Sequence, residues 1–197
     1  MGRPRLGFAD YLELPHDGLV HEILGGAHFV TPKPSKRHQT TTKNLASHLE
    51  SFLGQPERAE MTQLGRVLKP PAVAKLTDSD IVQPDLFFVA AARLDILDGQ
   101  VLEGAPDLVI EVLADTKLRH RDLILKFRLY ERYGVREYWI ADPIPRAVRI
   151  HRLQGGTLRQ ESEESFYKGG VLASPLLPGL ALPVTEVFPR RRSRGTL

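Results

Sequence analysis

Two carboxylates set inside hydrophobic runs carry the clearest chemical meaning in this chain. Asp85 lies in Val82-Gln83-Pro84-Asp85-Leu86-Phe87-Phe88-Val89, and Glu111 interrupts Leu108-Val109-Ile110-Glu111-Val112-Leu113. A buried carboxylate is costly unless a cation meets it. Two that converge repel and lose water, which favours a hard divalent cation with oxygen ligands. Magnesium suits such a site because it keeps several waters and needs few protein carboxylates, and manganese is its natural substitute. The chemistry open to that ion is polarisation of a phosphodiester, activation of a bound water and stabilisation of the leaving oxygen.

Lys126 offers a second cation. Asp122, Lys126 and Tyr130 are spaced i, i+4, i+8, which places them on neighbouring helical turns. The ammonium of Lys126 can reach the carboxylates from there, although the same spacing also describes an ordinary surface pair between Asp122 and Lys126. Three further residues have two readings each. Glu22 shares a strand face with Val20 and Leu24, so it is either a third acid of the pocket or an edge carboxylate in water. His38, seven residues before Leu45, is either a structural histidine or one that touches metal-bound water or phosphate. Tyr130 either bonds the site or packs. Asp107 lies on the face of Glu111 but about 13 Å away along an extended strand at roughly 3.3 Å per residue, which makes it an auxiliary candidate.

The elements that must hold these residues follow from the pattern. Strands are expected at 19–24 and 27–31 around the Gly25-Gly26 turn, and a helix at 37–53 with Leu45, Leu49, Phe52 and Leu53 at helical spacing. Strands are expected around Val67-Leu68 and 73–76, broken by Pro70-Pro71, and then over 82–90 and 107–113. A helix over 118–133 stops at Gly134, with Asp115 as a candidate cap. Strands over 137–141 and 147–153 come next, with two or three short ones before Phe188. This order predicts an α/β (α+β mixed) domain, a mixed sheet packed by two main helices. Its expected limits are 10–188, with a frayed start at 1–9 and a basic tail at 189–197.

The chain of 197 residues has 27 basic and 24 acidic side chains, a net charge of +3, and no cysteine. Disulfides, thiolate nucleophiles and cysteine-bound zinc are therefore excluded. The absence of cysteine suits a cytoplasmic protein, and no apolar run reaches the roughly 18 residues of a membrane span. The mild basic excess is compatible with a nucleic-acid partner.

These residues also carry a resemblance. Pro84-Asp85, then Pro106-Asp107-Leu108-Val109-Ile110-Glu111-Val112-Leu113, then Asp122, Lys126 and Tyr130, then Gly134 to Pro143, resemble the Uma2 family of restriction-endonuclease-like proteins in the PD-(D/E)XK nuclease superfamily. His21 to Gly26, Pro34-Ser35 with His38, Pro178-Gly179-Leu180 and Val187-Phe188 extend it to about residues 10–188. The resemblance implies a restriction-endonuclease-like fold, a central mixed sheet flanked by helices, and magnesium-dependent hydrolysis of DNA. Asp85 and Glu111 would be the metal ligands. The superfamily's usual strand lysine falls on Leu113, so the lysine would come from the helix as Lys126, with Glu22 assisting. Where the family commonly has Ser-Pro, this chain has Ala114-Asp115. The alternative is a nuclease fold that binds nucleic acid or protein without turnover, since no basic recognition helix stands out. Apolar strands near the C-terminus suggest a homodimer.

Overall fold

The computed structural model describes residues 5–55, 64–114 and 119–189, without the side chains of 119–122. The first hairpin forms as expected, β1 (Val20–Leu24) against β2 (Ala27–Thr31), with Gly25 and Gly26 at φ 59° and 79°. Two successive left-handed residues make the tight turn, and glycine adopts that conformation without a steric penalty. Before it lies α1 (Phe8–Leu12). In the stretch expected to fray, Leu6 and Phe8 pack against the core of Ile23, Val73 and Ile81, and the Leu6 N–H donates to the Gly26 carbonyl at 2.9 Å.

Helix α2 (Lys36–Leu53) starts at Ser35, whose hydroxyl accepts the His38 N–H, as an N-cap serine should. Strands β3 (Gly65–Leu68) and β4 (Val73–Thr77) flank the two prolines. One expectation needs correction. The strand expected over 82–90 is two strands in different sheets: β5 (Asp80–Val82) pairs with β1 and β4, whereas β6 (Leu86–Ala90) pairs with β3 and with β9 (Leu108–Val112). Pro84 sits between them. It has no N–H for a ladder and holds Gln83 extended, so the chain crosses from sheet to sheet over Gln83-Pro84-Asp85.

A ribbon of β7 (Leu97–Asp98) and β8 (Val101–Glu103) precedes β9. Helix α3 (Arg119–Arg132), β10 (Glu137–Asp142), β11 (Ala147–Gln154), β12 (Thr157–Ser165), β13 (Val171–Ser174), β14 (Leu177–Pro183) and the short α4 (Val184–Val187) follow. Gly134, at φ 75°, ends α3 where expected. The proposed cap Asp115, the start of the helix at Leu118, the side chain of Asp122 and the arginines of the tail lie outside the described residues.

The architecture is mixed α/β, with more sheet than expected: β12-β11-β10-β9-β6-β3 form the central sheet, β2-β1-β5-β4-β8-β7 a second one, and β13-β14 a ribbon. In the central sheet β9 and β10 are parallel and the other described pairs antiparallel. Period-two alternation assigns its faces. Leu108, Ile110, Val112 and Trp139 pack with Leu45, Leu49 and Phe52 of α2, while Val109, Tyr138 and Ile140 pack with Leu123, Phe127 and Tyr130 of α3. Glu111 lies on the α3 side by this alternation. No helix among the described residues is long and apolar enough to cross a membrane.

Candidate active site

The two sheets meet where the chain crosses between them, and the acids collect there. Pairing of Leu86 with Ile110 brings Asp85, one residue before β6, beside the end of β9. Its Oδ2 accepts the Val112 N–H at 2.8 Å, which anchors the carboxylate next to Glu111. Glu22 arrives from β1 in the other sheet. It is 3% exposed, so the solvated-edge reading does not hold, and its Oε1 accepts the Gln83 N–H at 3.0 Å.

Lys126 closes the cluster from α3. Its Nζ lies 2.9 Å from Glu22 Oε1 and 3.0 Å from Glu111 Oε1, and the side chain is buried. The surface-pair reading of Lys126 therefore fails. One turn on, the fully buried Tyr130 donates its hydroxyl to the same Glu111 oxygen at 2.7 Å, so it both packs and bonds. His38 comes from α2, with Nε2 3.2 Å from Asp85 Oδ2. Thr42 Oγ1 lies 3.4 Å from its Nδ1. A neutral ring donating to Asp85 can thus accept from Thr42.

Three carboxylates against one ammonium leave an excess of two negative charges. A protonated His38 would offset one of them. The titration behaviour follows this imbalance. Burial pushes the Glu111 carboxyl up to about 7; Lys126 pulls the other way, and Asp85 and Glu22 add to the rise. Burial disfavours the Lys126 cation, but Glu111 and Glu22 outweigh it and hold its pKa well above the usual lysine value. Burial likewise works against the His38 cation, and the hydrogen bond and charge of Asp85 still leave its pKa raised. Tyr130 is driven well up by burial and then by Glu111 and Glu22, so its hydroxyl stays a donor.

Among the described residues no group of three His, Cys, Asp or Glu side chains is arranged as a metal cage. Asp85 and Glu111 are the two carboxylates that could hold a hydrated divalent ion, one that needs few protein ligands. Asp85 and Glu111 line a cavity of about 220 Å³ with His38, Leu113, Lys126 and Tyr138. Leu113 is thus an apolar wall of the cavity, and Lys126 enters it from α3.

Asp107 is not part of this cluster, which corrects its candidacy. It is 1% exposed at the opposite end of β9; its Oδ1 faces Arg93 at 3.1 Å and Arg136 at 3.4 Å, and its Oδ2 accepts the Ala90 N–H at 2.9 Å. With its oxygens so engaged it fastens β6 to β9. Two parts of the site had no signal in the sequence: the Gln83 N–H that fixes Glu22, and the contact of His38 with Asp85. Both join residues far apart in the chain across elements whose packing no local pattern encodes.

The family model of Uma2, described as "Putative restriction endonuclease", matches residues 8–185. A crystal structure described as a "putative nuclease belonging to DUF820", from Anabaena variabilis, superposes with a TM-score of 0.73 at 19% identity, covering 93% of this chain and 97% of that one. At that identity the likeness is one of fold. No curated protein gives a significant match.

Proposed function

Because the chain belongs to the Uma2 family, we propose that it is a magnesium-dependent nuclease that hydrolyses DNA phosphodiester bonds in the cavity of Asp85, Glu111 and Lys126. The observation that carries this function is the buried cluster in which Glu22 and Glu111 share Lys126 while Asp85 is anchored beside Glu111 on the Val112 N–H, which leaves negative charge for a divalent ion to neutralise. Asp85 and Glu111 would hold the ion. Bound there, magnesium supplies an activated water and an electrophile for the phosphoryl oxygens.

The chain's own residues have separable tasks. Lys126 stays protonated, so it acts as a hydrogen-bond donor and fixed positive charge, orienting the attacking water and stabilising the charge that builds on the phosphate. Glu22 keeps the lysine in place: its bond to Nζ is independent of Glu111. Tyr130 orients the Glu111 carboxylate, and His38 with the Val112 N–H orients that of Asp85. Leu113 and Tyr138 wall the cavity with apolar surface, which strengthens each of these interactions by lowering the local dielectric.

The test is cleavage of supercoiled plasmid and of end-labelled oligonucleotides with magnesium, manganese, calcium or EDTA. Wild type is expected to cut with magnesium or manganese and not with EDTA. Asp85→Asn, Glu111→Gln and Lys126→Met, each checked for an intact melting transition, are expected to lose the activity. A wild type that cuts nothing, or variants that cut equally well, would rule this function out.

A further inference from the structure

A second, larger hollow opens from the same cluster. It has a volume of about 940 Å³, and His38, Gln83 and Asp85 line both it and the small cavity. Its two sides differ in chemistry. The side built by α2 and the residues after β3 presents Lys43 and Lys69 with Glu50; the side built by α1 and the segment after it is mostly apolar, with Tyr11, Leu12 and Leu19, and carries His16. Leu12 and Leu19 are 59% and 36% exposed, so this apolar side is open to solvent. Lys43 makes no ion pair among the described residues. Lys69 pairs with Glu50 at 2.8 Å, and both side chains are about half exposed; such a surface pair is worth little and is readily exchanged.

We infer that this groove receives an unpaired DNA strand and leads it to the carboxylate cluster. This assignment names the substrate class of the proposed nuclease and rests on that function. Proteins that hold single strands combine cations that track the phosphates with aromatic side chains on which bases stack, a part that Tyr11 can play in this groove. Here Lys43 and Lys69 stand on one side and Tyr11 with its apolar neighbours on the other, and Asp85 and His38 join this hollow to the small cavity that holds Glu111 and Lys126. A duplex keeps its bases stacked inside and presents phosphates outward, so an apolar wall gains nothing from it, and its high charge density asks for cations on both flanks.

The experiment measures binding in EDTA, where turnover plays no part, by fluorescence anisotropy of a labelled single-stranded oligonucleotide and of the blunt duplex of the same sequence. The single strand is expected to bind about tenfold tighter, the equivalent of roughly one stacked base, and to weaken with salt. Leu12→Glu and Lys43→Glu, both at exposed positions, are each expected to weaken single-strand binding about fivefold or more with an unchanged melting midpoint. Equal or tighter binding of the duplex, or both variants binding like wild type, would overturn the assignment. Plasmid cleavage that persists without a single-strand preference overturns the groove alone. A single-strand preference without any cleavage supports the groove and overturns the proposed hydrolysis.

Discussion

Replacing Glu111 with glutamine is expected to make the metal-free protein more stable at pH 8 and to leave its stability nearly unchanged at pH 5. The folded carboxyl titrates at about 7 against a reference of 4.5. A carboxyl whose pKa is raised by folding contributes most below its unfolded value; that contribution is lost as pH climbs from 4.5 to 7 and stays lost above. At about 1.4 kcal/mol per pKa unit the loss is about 3 kcal/mol at pH 8. Glutamine keeps the size of the side chain, and its carbonyl can still accept from Lys126 and Tyr130, the two donors now on Oε1. The charge that burial penalises is gone, and Lys126 retains Glu22. For a chain of this length about 3 kcal/mol corresponds to several degrees in Tm, roughly 2–4 °C per kcal/mol. Thermal melts of wild type and variant in EDTA at half-unit steps from pH 5 to 8 make the comparison, with urea midpoints as a second measure. A variant less stable than wild type by the same margin at every pH would refute the claim that Glu111 is an under-compensated charge.

The same imbalance has further consequences. Glu111 must lose its proton to bind a metal, so manganese affinity is expected to rise about tenfold per pH unit below 7 and to level off above it, as titration calorimetry at pH 6, 7 and 8 would register. Lys126→Met leaves buried carboxylates without their cation and is expected to cost about 3–5 kcal/mol in the metal-free state; added manganese should recover part of that loss in a thermal melt. Tyr130→Phe removes a hydrogen bond to a charged group, worth about 1.5–3 kcal/mol. It also takes away an influence that lowers the Glu111 pKa, so the cleavage-versus-pH curve should move to higher pH. Asp107→Asn is expected to lower stability by about 1–3 kcal/mol, because its arginine partners are partly exposed. It should leave the cleavage rate per folded molecule unaltered in a single-turnover assay.

Much of the site was legible in the sequence because its chemistry is local. An acid inside Val-Ile and Val-Leu has to be compensated, and the spacing of Lys126 and Tyr130 puts both on one helix face, where they share one Glu111 oxygen. The hairpin at Gly25-Gly26 and the stop at Gly134 were equally local, since positive φ selects glycine. What escaped is non-local. The run 82–90 is apolar enough for one strand, and it took Pro84 together with the pairing of β5 to β1 and β4 to turn it into a crossing between sheets. That crossing places Glu22 beside Lys126. Asp107 looked comparable to Glu111 in type and face, yet Arg93 and Arg136, brought in from other segments, occupy it. The contact of His38 with Asp85 depends on how α2 lies on the sheet, which helical periodicity alone does not determine.

The claim that matters most is that Asp85 and Glu111 share a divalent ion. The most direct measurement is an anomalous difference map from a crystal soaked in manganese at pH 8. The expected result is a peak bound by carboxylate oxygens of both residues, with the Lys126 ammonium alongside in the same cavity, and no such peak in Asp85→Asn. A wild-type map with no peak at saturating manganese, or with the ion held elsewhere and both carboxylates unbound, would contradict it.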